Sequence, residues 1–105
     1  MTQFKFSVGP WNVHTGADAY GPATRKDIPI EEKFKKFAEI GFSAIQFHDD
    51  DAVPNINDYT EEEIKEKARE LKKTLDKYNL KAEFVAPRLW MDPHTQDGGF
   101  MSTSK

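Results

Sequence analysis

Apolar residues fall in two rhythms along the chain, and the change of rhythm marks its elements. Phe4, Phe6 and Val8 alternate with polar neighbours and run into Gly9-Pro10, the period-two pattern of a strand ended by breakers. From Trp11 to Asp27 there is no period, and Gly, Ala and Asp set a long loop. Ile30, Phe34, Phe37 and Ala38 then recur at helical spacing. Pro29 and Glu31-Glu32 stand where that helix should begin, and Gly41 stops it. Phe42 to Phe47 is a short, mostly apolar run that reads as a second strand, followed by the loop "AVPNINDY".

The sharpest pattern lies between Thr60 and Tyr78. Thr60 with Glu63 three residues on is a capping box, and Ile64, Ala68, Leu71, Leu75 and Tyr78 trace one apolar stripe. Glu61 with Lys65 and Glu63 with Lys67 are favourable pairs four residues apart. Acids lead the helix, while Lys72, Lys73 and Lys77 trail. These charges read as a solvated helix face. After Asn79, Ala82 to Ala86 forms a third short strand, and the chain ends in an irregular tail to Lys105.

Strands alternating with helices predict an α/β fold of parallel units with right-handed crossovers, β-α-β-α-β. Each long, polar, aromatic-bearing loop follows a strand, whereas the returns "IGFS" and "YNLKA" are short. That asymmetry is what a (β/α)8 TIM barrel shows, with chemistry gathered at the C-terminal ends of its strands. A Rossmann-type sheet is the rival, but no G-x-G-x-x-G follows the first strand. A full barrel needs about 250 residues, and the pattern here covers about two and a half units.

Composition narrows the classes. The chain has 105 residues, enough for one domain, and its net charge of -3 comes from mixed rather than blocked charges. No basic stripe suits phosphates, so nucleic acid is a poor partner. The absence of cysteine excludes disulfides and thiolate metal sites. No run approaches membrane-spanning length and "MTQFKFSVGPW" lacks a signal-peptide core, so the expectation is a cytoplasmic chain with no membrane partner.

The candidate chemistry centres on "FHDDD". His48 falls at the C-terminal end of the second strand, where a barrel turns side chains toward its mouth. Asp51, three residues on, is close enough in a turn to accept the imidazole N–H, an arrangement suited to a general base or proton shuttle. The alternative is a surface histidine among loop acids. Carboxylates also suit Mg²⁺ or Mn²⁺, although consecutive acids rarely all face one ion. Trp11 and Trp90 follow the first and third strands and either wall a pocket for a sugar's C–H faces or simply pack loops. "DAYG" places Tyr20 in a loop, as an oligomer contact or as loop packing, and "DGGF" (97–100) is a turn signal. His14 and His94 read as surface residues without an obvious partner.

In the order "PWNV", "DAYGPATR", "FHDDDAVP", "RLWMDP" and "DGGF", nearly the whole chain resembles the N-terminal part of xylose isomerases. The resemblance implies an eight-stranded barrel that converts an aldose such as xylose or glucose to a ketose by a metal-assisted hydride shift. It implies that His48 holds the sugar's ring oxygen and assists ring opening, that Asp51 orients it, and that Trp11 belongs to the pocket wall. Trp90 stands where the family commonly has phenylalanine. Tyr20 stands where it has a phenylalanine that reaches into the neighbouring subunit's site. The family's Mg²⁺, Mn²⁺ or Co²⁺ sites come from later strands, so no metal is expected on this chain. Asp49 and Asp50 are then solvated or paired to later barrel elements.

A three-stranded parallel sheet with two unpaired edges and an apolar face with nothing opposite should associate, so a homo-oligomer is expected. Two other readings compete. One is a non-catalytic, self-associating module. The other is a different enzyme on a related barrel, such as a sugar epimerase or a metal-dependent apurinic-site endonuclease. The endonuclease would need histidine ligands and a basic groove, and the three histidines are scattered along an acidic chain.

Overall fold

The computed structural model describes residues 3–16, 20–90 and 92–95. The "DGGF" turn, the tail beyond it, and Asp18 and Ala19 of "DAYG" lie outside these residues. Strand β1 (Ser7–Val8) leads through a long loop to helix α1 (Ile30–Ile40) and strand β2 (Ala44–His48). A single helical turn, α2 (Asp49–Ala52), follows directly, then helix α3 (Glu61–Lys77) and strand β3 (Lys81–Ala86). The strands form one parallel sheet in the order β1-β2-β3. No helix of the described residues is long and apolar enough to cross a membrane.

Local chemistry explains the boundaries. Gly41 takes a left-handed conformation (φ 109°) and its N–H bonds the Phe37 and Ala38 carbonyls, closing α1. Thr60 caps α3: Glu63 accepts from the Thr60 N–H at 2.8 Å, and the Glu63 N–H donates to the Thr60 hydroxyl at 3.3 Å. Strand β1 is shorter than its alternation predicts, because only Ser7 and Val8 find partners on β2. Phe4 and Phe6 remain 76% and 61% exposed.

Side chains sort across β2 by its alternation. Ile45 and Phe47 turn toward the helices and join Phe34, Phe37, Leu75 and Leu80 in one buried core. The Phe34 and Phe47 rings meet edge to face at 6.0 Å, a favourable aromatic geometry. The opposite sheet face is less apolar than expected. Gln46 donates there to Ser7 Oγ at 2.7 Å and to Glu83 Oε2 at 3.1 Å, so a polar row crosses all three strands. Ser7 and then Gln46 hold the Glu83 carboxyl below its usual range.

The α3 stripe is narrower than its sequence suggests. Leu71, Leu75 and Tyr78 reach the core, while Ala68 is exposed, because only the C-terminal half of the helix lies over the sheet. Lys65 pairs with Glu61 at 2.8 Å as the spacing predicts. Glu63 and Lys67 do not pair in this way: Glu63 serves the cap, and Lys67 sits 4.4 Å from the centre of the Tyr59 ring.

One contact ties the two long helices. Lys77 Nζ lies 2.6 Å from Glu31 Oε1, which also accepts the Tyr78 hydroxyl at 2.9 Å. The Lys77 hydrogen bond, then that from Tyr78, holds Glu31 below its ordinary 4.5. The same contact raises Lys77 above 10.5. A depressed carboxylate stabilises the fold fully above its ordinary value and loses that contribution as pH falls through the folded one. A raised amine contributes below its ordinary value and loses it as pH climbs through the folded one. Glu31→Gln should therefore lower the thermal midpoint by a constant amount between about pH 5 and pH 10, with the gap closing on either side. Circular dichroism melts across pH measure this, and a gap still open in strong acid would remove the pair from the explanation.

Candidate functional site

The acidic run after β2 is held by a residue that sequence reasoning missed. Arg88 follows β3, and in a parallel sheet the ends of adjacent strands are neighbours. Its backbone N–H donates to Asp49 Oδ1 at 3.0 Å. Its guanidinium places Nε 3.0 Å from Asp50 Oδ1 and a terminal nitrogen 3.0 Å from Asp51 Oδ1. The Asp50 contact is an ion pair without hydrogen-bond alignment, since both atoms are buried and neither gains a bonding partner. The guanidinium thus meets Asp50 and Asp51 while the backbone of the same residue holds Asp49, so Asp49 and Asp50 are engaged within the chain rather than left to solvent. The available signal was the lone basic residue of "APRLW", placed by the topology opposite "HDDD".

His48 sits inside this cluster. It ends β2 and begins the turn, and its backbone N–H donates to Asp51 Oδ2 at 3.1 Å. The acids Asp49, Asp50 and Asp51 occupy the first turn of α2, where the unpaired backbone N–H groups favour negative charge. The His48 Nδ1 lies 3.1 Å from Asp51 Oδ2 and 2.9 Å from the same Arg88 terminal nitrogen. Side-chain exposures of 19% for His48, 21% for Asp51 and 23% for Arg88 mean that these charges are partly desolvated, so each hydrogen bond counts for more than at an open surface.

Two indoles flank the imidazole. The Trp11 ring lies 4.7 Å from it, tilted by 44°, and Trp90 meets it edge to face at 5.3 Å. Trp11 stands on the short turn Pro10–Asn12 just after β1, and its ring folds back over Gly9. A Cβ on Gly9 would fall 2.1 Å from that ring, so the close approach requires glycine. Both tryptophans are partly exposed, at 37% and 61%, and each packs against the histidine ring. Tyr20, in the loop before α1, is 98% exposed.

The remaining histidines are exposed as expected, but each has a partner. His14 Nδ1 accepts the Gly16 N–H at 2.9 Å. His94 places Nδ1 3.0 Å from Asp92 Oδ1, while Asn57 donates to the other Asp92 oxygen at 3.1 Å. The His94 N–H, then Asn57, keeps Asp92 below its usual carboxylate range. This bond links the loop after β2 to the chain after β3.

A cavity of about 470 Å³ lies beside the cluster, bordered by Trp11, His14, Lys33, Asp51 and Arg88 among others. Lys33 is buried there on α1 and pairs with Asp27 at 3.2 Å, another contact not anticipated. A second hollow of about 270 Å³ is lined by Asp49, Asp50, Asn57, Arg88 and Asp92. His48 borders neither. Among the described residues, no group of three His, Asp or Glu side chains is placed to hold a metal ion. The acids nearest to that role are committed to Arg88, so they do not fit a divalent cation.

A histidine–carboxylate pair at the C-terminal end of a central parallel strand, with aromatic residues from the flanking strand ends, defines an α/β protein whose polar chemistry gathers at the C-terminal ends of its strands. No family model matches the chain. It is 33% identical over 101 residues to the xylose isomerase of Thermus caldophilus, and equally so to that of Thermus thermophilus. The alignments cover 95% of this chain and 26% of each relative. The chain is thus a relative of xylose isomerases along almost all of its length, and it spans about a quarter of theirs.

Two substitutions test this arrangement. Arg88→Met should cost about 1–3 kcal/mol of stability in urea unfolding, because it leaves partly buried carboxylates without their cation. Unchanged stability would mean that solvent serves the aspartates equally well. Gly9→Ala should push Trp11 off the imidazole and red-shift its fluorescence, with the melting transition still cooperative; an unmoved emission maximum would contradict the close approach.

Proposed function

We propose that this chain supplies the histidine side of a sugar site in a (β/α)8 barrel of the xylose isomerase type. In this reading, residues 1–105 are the N-terminal portion of the barrel, and β1, β2 and β3 are its first three strands. The observation that carries it is the placement of His48 at the end of β2, between Trp11 and Trp90, with Nδ1 against Asp51 and Arg88. Engaging Nδ1 leaves Nε2 for a ligand. That nitrogen meets the ring oxygen of a closed aldose and assists ring opening, while the indoles cover the sugar's C–H faces.

The sequence relationship to xylose isomerases supports xylose as the substrate and a ketose as the product. A divalent metal such as Mg²⁺, Mn²⁺ or Co²⁺ would polarise both oxygens during a hydride shift between adjacent carbons. The described residues do not form a site for one. The isolated chain should accordingly give no detectable ketose from xylose with Mg²⁺, and measurable turnover would overturn this division of labour. The positive test is a chimera in which this chain replaces the matching quarter of the Thermus thermophilus xylose isomerase. It should form ketose, and His48→Ala should lower its rate by about 10²–10⁴-fold. A folded chimera indifferent to His48 would refute the reading.

A second reading rests on the sheet edges. Among the described residues, strands β1 and β3 each pair on one side only, and Phe84 and Val85 on β3 are 48% and 53% exposed. Such edges recruit strands, which supports a homo-oligomer of the chain, with Tyr20 as a further subunit contact. Sedimentation over a range of concentrations should show a discrete oligomer; a stable monomer with a sharp unfolding transition would rule this out.

A further inference from the structure

We infer that Arg88 is a positioning residue that fixes the tautomer of His48, keeping Nδ1 bare and the proton on Nε2. Two partners compete for one atom. His48 Nδ1 has an acceptor, Asp51 Oδ2, at 3.1 Å and a donor, an Arg88 terminal nitrogen, at 2.9 Å. A neutral imidazole nitrogen either carries a proton or offers a lone pair, so it can satisfy only one of them.

The partners are not equally free. A guanidinium keeps all its protons and has no acceptor. A proton on Nδ1 would therefore face an N–H at 2.9 Å with no way to relieve the clash. Asp51 has other donors: Oδ2 accepts the His48 backbone N–H at 3.1 Å and Oδ1 accepts from Arg88 at 3.0 Å. Nor can Arg88 easily swing aside, because its backbone is bonded to Asp49 and its Nε lies against Asp50. The bare nitrogen leaves no donor facing a donor; it sets a lone pair 3.1 Å from Asp51 Oδ2, and the Arg88 cation bonded to both residues, with the His48 backbone N–H on Oδ2, offsets that repulsion. Asp51 then sets the orientation of the turn through the backbone and holds Arg88 in place, while Arg88 decides the proton.

The consequence for ligands rests on the sugar-site reading above. The ring oxygen of a closed aldose is an ether and only accepts hydrogen bonds. With Nε2 protonated, a neutral His48 donates to it directly. If Asp51 instead captured the proton on Nδ1, Nε2 would present a lone pair, and His48 would need a second proton to serve the same oxygen. Arg88 thereby selects ligands that place an acceptor, such as a cyclic ether oxygen, at the histidine.

Long-range proton–nitrogen NMR of the full chain labelled at histidine, recorded at about pH 8 where imidazoles are ordinarily neutral, reads the tautomer without any ligand. His48 should show a bare Nδ1 and a protonated Nε2 as a single form. In Arg88→Met the two nitrogens should exchange character as the proton moves to Nδ1 and bonds Asp51, and in Arg88→Lys, which retains a donor, the original form should return at least in part. Asp51→Asn should leave it in place. A wild-type His48 protonated on Nδ1, or mixed like the exposed His94, overturns the inference, as does an Arg88→Met spectrum with Nε2 still protonated. Adding xylose to the same samples tests the sugar reading separately: an unmoved Nε2 resonance counts against that reading and leaves the tautomer result standing.

Discussion

One arginine holding three consecutive carboxylates, two through its guanidinium and one through its backbone N–H, is the constraint on which the site depends. Asp49, Asp50 and Asp51 follow β2 without a break, and like charges so close would repel and open the turn. Arg88 meets all three from the end of β3, and the first turn of α2 offers them unpaired backbone donors. With the turn closed, His48 is fixed at the strand end, and the indoles on either side have a rigid ring to pack against. The geometry of the imidazole is therefore inherited from an ion cluster and not from the hydrophobic core.

The core has a different task. Phe34, Phe37, Ile45, Phe47, Leu75 and Leu80 bind the two long helices to one face of the sheet, which sets β2 between its neighbours and brings three strand ends together. The other face carries the row Ser7, Gln46 and Glu83. The row supplies cross-strand bonds that keep the three strands aligned.

Elements were legible where a local rule acted alone. The capping box at Thr60 and the Gly41 stop located both long helices to within a residue or two, and the parallel pairing of the strands followed from their alternation with helices. The positions of His48, Asp51, Trp11 and Trp90 at strand ends followed from the same reading. Arg88 was not legible, because its significance comes from the register between β2 and β3, which no local pattern encodes. Lys33 and Asp27 lie six residues apart across the start of α1, outside any helical spacing, and Glu63 had two local rules open to it, capping Thr60 or pairing with Lys67. The sequence indicated which residues have chemistry, while the sheet decided which of them meet.

Glu83 shows how finely that meeting is set. The register between β2 and β3 shifts by one residue between Ile45 and Gln46, so β3 carries an extra residue at this point. Beyond it, the alternation of β3 is inverted relative to an uninterrupted strand. A lineage that lost this residue would keep a passable strand, with hydrogen bonds re-formed along its length. Everything downstream would face the opposite side, and Arg88 would leave the aspartates. Insertions and deletions in β3 thus carry a penalty that substitutions do not: the strand would survive, while the partnership at its end would be lost at a stroke.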